Sequence, residues 1–153
     1  MGPVTNTMEI CGHGGRIEVQ IFDYERPNAT DEDDANWLKA KCSVFVGEFT
    51  CVLQISPVTH DFVRFLRQLE EAVRQMKGTA AFATLEGELA VEIKFESAGQ
   101  ADVFGRARSQ TSLVPDQTAL SFSFETDQSF LTQTVRELTA IVAQFPVRTA
   151  KSR

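Results

Sequence analysis

Hydrophobic positions along this chain switch twice from a period of two to a period near 3.6, at matching places. Cys51, Leu53 and Ile55 share one face of a strand pattern, and a helical stripe follows at Phe62, Leu66, Leu69, Val73 and Met76. The same switch recurs 69 residues later, where Leu120, Phe122 and Phe124 lead into Leu131, Val135, Leu138, Val142 and Phe145. Every one of these positions is apolar in both stretches, and the two periods mark a strand followed by an amphipathic helix. The pattern predicts a scaffold of two sheet-plus-helix halves and exposes no reaction centre.

Further strands flank these units. Met8–Cys11 and Arg16–Asp23 read as a hairpin about Gly12-His13-Gly14-Gly15, with Ile17, Val19 and Ile21 on one face. Residues 24–35 are polar, contain Pro27 and Asn28, and predict an exposed loop. Trp37–Val46 and Phe49–Ile55 form a second hairpin across Gly47-Glu48. In the second half, Ala80–Leu85 and Glu88–Phe95 pair about Glu86-Gly87, then come Ala101–Arg108, a loop through Pro115-Asp116 and Ala119–Phe124.

Helix one has start signals at Ser56-Pro57 and Thr59, an apolar face that includes Phe65, and a stop at Gly78 after Lys77. Asp127 caps helix two, which carries Phe130, Leu131, Val135, Leu138, Ile141 and Val142 and stops at Pro146. These elements predict the α+β class: a mainly antiparallel sheet with two helices covering one face. Two tandem βββα halves preceded by one extra strand fit the spacing. Sheet-plus-helix grammar without pseudosymmetry fits it too. Residues 1–148 are expected to form one domain and residues 149–153 a frayed tail.

At 153 residues with 42% hydrophobic and 24% charged content, the chain has enough material for a core. No apolar run approaches the ~20 residues a bilayer requires. The opening MGPVTNTMEI lacks the basic and apolar regions of a signal peptide, so a cytoplasmic location is expected. Asp23, Glu25, Asp31, Glu32, Asp33 and Asp34, against Arg26 alone, carry −5 of the net charge of −6. A field of this sign disfavours nucleic acid and suits a basic protein partner, which makes these six carboxylates the candidate partner-binding residues. A solvated charge run is the plainer reading of the same segment.

Constellations for chemistry are missing from the pattern. Cys11, Cys42 and Cys51 fall inside strand patterns, and with His13 they match no recognised zinc spacing, so buried reduced thiols are expected, with no metal and no cofactor. Gly12-His13-Gly14-Gly15 leads into a strand, whereas a phosphate cradle leads into a helix N-terminus. Asp31-Glu32-Asp33-Asp34 lacks the alternate spacing and central glycine of a calcium loop. Twelve phenylalanines, which bury without needing a hydrogen-bond partner, point to core, or to an apolar ligand cavity between sheet and helices.

The order of segments resembles the WapI family of bacterial immunity proteins. The similar residues are Trp37-Leu38, Gly47-Glu48-Phe49 opening a strand into a Leu-rich helix, Phe82 and Glu86 in the next hairpin, and Leu120-Ser121-Phe122 leading to Asp127-Gln128-Ser129-Phe130-Leu131. Phe145-Pro146-Val147 closes the match, which spans roughly residues 17 to 147. The resemblance implies a small, non-enzymatic cytosolic protein that binds and neutralises a protein toxin. It brings no catalytic residue. A toxin that is a basic nuclease domain would suit the charge; a carrier of a small apolar ligand is the competing expectation.

Overall fold

The computed structural model describes residues 6–110 and 118–149. The expected loop through Pro115-Asp116 and the tail from residue 150 lie outside them. The first half runs β1 (Thr7–Gly12), β2 (Gly15–Tyr24), a short α1 (Glu32–Ala35), β3 (Leu38–Val46), β4 (Phe49–Ile55) and α2 (Thr59–Gln75). The second runs β5 (Gly78–Ala83), β6 (Leu89–Phe95), β7 (Gln100–Arg108), β8 (Ala119–Asp127) and α3 (Gln128–Gln144). Both sheets are antiparallel meanders, ordered β1-β2-β3-β4 and β5-β6-β7-β8. The class is α+β.

Two details differ from the sequence expectation. Apart from the short α1, each half is ββββα, so no strand is left over, and the strands form two four-stranded sheets instead of one. The helices explain the separation. Each packs beside the first strand of the other half's sheet, α2 on β5 and α3 on β1, and the two helices touch each other. They take the place where another strand would pair, and they satisfy the exposed edge with side chains. Gln68 Oε1 accepts the amide N–H of Ala81 at 2.9 Å, and Glu137 Oε1 accepts that of Glu9 at 2.9 Å. Gln68 and Glu137 are themselves 69 apart, as are the ends of the two 17-residue helices. The repeat is therefore structural.

The inner faces merge into one hydrophobic cluster across both halves. It includes Ile17, Val19 and Ile21 of β2, Phe62, Phe65 and Leu69 of α2, Phe82 of β5, and Leu131 and Leu138 of α3. Phe82 lies between the α2 rings, 5.1 Å from Phe62 and 5.7 Å from Phe65. Where the sheets meet, the His13 N–H donates to the Glu125 carbonyl at 2.8 Å. A Cβ at Gly12 would lie 2.1 Å from that carbonyl oxygen, and one at Gly15 would lie 2.2 Å from the Phe124 ring. The glycines of this hairpin turn thus permit β8 to cross it.

Of its two start signals α2 takes the later, and its C-terminal cap falls ahead of Gly78. It begins at Thr59, past Pro57, because the Asp61 carboxylate reaches back to the Val58 N–H at 2.9 Å. Its left-handed cap is Met76 at φ 54°, two residues before Gly78. That cap turns Met76 out of the stripe and leaves it exposed, as Phe130 is at the start of α3.

Candidate functional site

The acidic segment follows the end of β2. Asp23 is exposed, and its carboxylate accepts the Tyr24 N–H at 2.7 Å. The expected loop contains a helical turn: Asp31 caps α1 by accepting the Asp33 N–H at 2.7 Å, and Ala35 is buried beneath. Asp34 pairs with Arg26 at 2.7 Å. Glu25, Glu32 and Asp33 are exposed, and among the described residues their side chains make no hydrogen bond or ion pair.

Arg148, beyond α3, fastens this segment to the body. Its guanidinium donates to the carbonyls of Ala35 at 2.9 Å, Pro27 at 2.8 Å and Arg26 at 3.0 Å, and lies 3.8 Å from the Tyr24 ring centre. Buried Asn36 locks the other side: its amide donates to the carbonyls of Glu32 and Arg148, and its oxygen accepts the Arg148 N–H and the Thr59 hydroxyl. Tyr24 adds a hydroxyl bond of 2.7 Å to the Pro146 carbonyl. The carboxylates are thus carried on a segment whose backbone is held to the body of the fold.

Beneath the segment opens a cleft of about 690 Å³. The first half supplies Phe22, Glu25, Arg26, Asp34, Trp37 and Lys39 to its lining, and the second half supplies Glu86, Glu88 and Gln110. Glu88 is 2% exposed. One of its carboxylate oxygens accepts the Ser56 N–H at 2.7 Å, while Oε1 has no hydrogen-bond partner among the described residues. Of the six predicted carboxylates, the fold brings Glu25 and Asp34 to the cleft and leaves Asp23, Asp31, Glu32 and Asp33 outside its lining.

Glu88, Asn36 and Arg148 were not singled out by sequence reasoning. Glu88 opens a strand pattern beside a turn, where a glutamate is ordinarily solvated, and Arg148 follows the helix stop with no periodicity to mark it. Only the pairing of distant segments reveals either role.

The three cysteines are free thiols, but the expected burial holds only for Cys42, with Cys11 and Cys51 partly exposed. Burial first, then the Glu9 carboxylate, pushes Cys11 up to about 11, and burial pushes Cys42 up to about 12 and raises Cys51. Among the described residues no group of three or more His, Cys, Asp or Glu is placed to hold a metal ion, and no helix is long and apolar enough to cross a membrane.

Residues 9–146 match the model of the Immunity protein WapI-like family. The chain belongs to that family. No curated protein matches this WapI-like sequence. Among solved structures, a CdiA-CT/CdiI toxin and immunity complex from Enterobacter cloacae is similar at 11% identity, over 67% of this chain and 88% of that one, with a TM-score of 0.42. MRP1/MRP2 from Trypanosoma bruciei is similar at 10% identity, over 92% and 86%, with a TM-score of 0.52. That second likeness is one of fold alone.

Proposed function

We propose that this WapI-like chain is a non-enzymatic cytoplasmic immunity protein that neutralises a cognate toxin by binding and occluding it. The acidic segment of Asp23, Glu25, Asp31, Glu32, Asp33 and Asp34, with the cleft beside it, is the surface offered to the toxin. The observation that carries this reading is the clamped presentation of that segment in a member of an immunity family. A pre-organised surface loses less conformational entropy on binding than a mobile loop. Its negative field would draw in a basic domain, of which a nuclease is the natural example, and suppress non-cognate acidic partners. Charged lining at Glu25 and Glu86 counts against the apolar-carrier alternative, since an apolar ligand would desolvate these exposed carboxylates without pairing them.

Co-expression with the C-terminal domain of a large secreted toxin encoded beside this chain provides the test. Cell survival together with recovery of a stable complex is the expected result. Cell death with both proteins expressed rules out immunity for that pair. Survival without any complex would rule out neutralisation by binding.

A further inference from the structure

We infer that Glu88 is a buried receptor for a cationic side chain, and that an arginine of the partner enters the cleft to pair with its free Oε1. The inference rests on the immunity reading only in assigning that arginine to a toxin. Glu88 stands apart from the surface carboxylates around it. Its side chain is almost wholly withdrawn from water, one oxygen is held by the Ser56 N–H at 2.7 Å, and the other faces no donor among the described residues. A buried carboxylate oxygen left without a donor is costly, so each such group in a native fold calls for a physical account, and a donor brought by a ligand supplies one here. The Ser56 bond fixes the carboxylate in place, so the free oxygen is pre-set for an incoming donor.

The lining defines that donor. Glu25, Asp34, Glu86 and Glu88 outnumber Arg26 and Lys39, and Arg26 is already engaged with Asp34. The cleft therefore favours a cation over a neutral or anionic group. Phe22, 54% exposed, and half-buried Trp37 line the same space. A guanidinium stacks flat on aromatic rings while its edge donates, which an ammonium does less well. The same chemistry recurs within the molecule, where Arg148 lies over Tyr24 and Arg16 lies over Phe45.

The test uses the intact chain, with methylguanidinium as the probe and N-methylurea and methylammonium as its neutral and ammonium counterparts, all at constant ionic strength. NMR would follow the Glu88 side-chain carboxyl carbon and the Ser56 amide. Methylguanidinium is expected to move both saturably and to bind more tightly than either counterpart. Glu88→Gln keeps an acceptor for Ser56 but removes the charge, and should weaken methylguanidinium binding about tenfold with the thermal midpoint retained. Phe22→Ser, a surface change, should narrow the preference for guanidinium over ammonium. A signal that does not saturate, equal binding of N-methylurea, or unchanged affinity in Glu88→Gln would overturn the site, and equal binding of methylammonium would overturn the choice of arginine. Because no toxin takes part, a failure here leaves the co-expression result untouched, and a failed co-expression leaves this site standing.

Discussion

Arg148 shows how one residue governs a surface it does not itself compose. It bonds three carbonyls of the acidic segment and covers the Tyr24 ring. Hydrogen bonds from a charged donor each contribute more than neutral ones, so Arg148→Met should cost about 2 kcal/mol. The loss should appear as faster amide exchange at Ala35 and Asn36, with the sheet amides unaffected. Lysine should rescue little, since an ammonium cannot span three carbonyls in a plane. The core gives a second test. Leu138 is fully buried and corresponds to Leu69 in the other helix. Leu138→Ala should destabilise the chain by roughly 2–5 kcal/mol in urea unfolding, and a loss within the range of surface substitutions would mean that α3 packs otherwise.

Between elements, the equivalence of Gln68 and Glu137 is informative because one is neutral and the other ionisable. Both accept an N–H from an edge strand. Burial raises Glu137 above the ordinary carboxylate value of 4.5, against the lowering effect of the Glu9 N–H bond. A carboxyl raised in the folded state is deprotonated first in the unfolded chain. The unfolded state then binds fewer protons, and stability falls as pH rises from the ordinary carboxylate range through the raised value. Glu137→Gln copies the other half and keeps the acceptor. It should flatten that part of the stability–pH curve, and at neutral pH the variant should be at least as stable as the parent. Equilibrium unfolding of both proteins from acid to neutral pH checks this; a curve of unchanged slope would assign the dependence to other groups.

For the whole molecule, the charge distribution should set how fast a partner arrives. The structure separates carboxylates with structural bonds from those without. Asp31 caps α1 and Asp34 pairs with Arg26, so neutralising them would disturb the segment itself. Glu25, Glu32 and Asp33 are the cleaner set. Replacing these three with Ser should slow association with a basic toxin domain, most strongly at low salt, with the fold and the dissociation rate little changed. Exposed charges act over about a Debye length, ~10 Å at 0.1 M. Association rates equal to the parent's at both low and high salt would remove the segment from the encounter.

The sequence by itself determined the elements and their class. A period of two or of 3.6 is written in the apolar positions, as at Leu89, Val91, Ile93 and Phe95, and caps such as Asp127 act on amides three residues away. Even the 69-residue repeat was legible, because matched burial demands matched apolar residues. The acidic run was visible as composition, though its helical turn was not, since the four residues of α1 are too few to show a period. The tertiary structure decided what depends on distant partners. The helices could have covered a sheet face; in the fold they close the edges of β1 and β5 and so divide the strands into two sheets. Glu88 reads like any turn glutamate until the approach of Ser56 and the first half withdraws it from water. Arg148 reads as a surface charge until three carbonyls from 113 to 122 residues earlier converge on it. Burial and convergence are properties of position in space, and local sequence encodes neither.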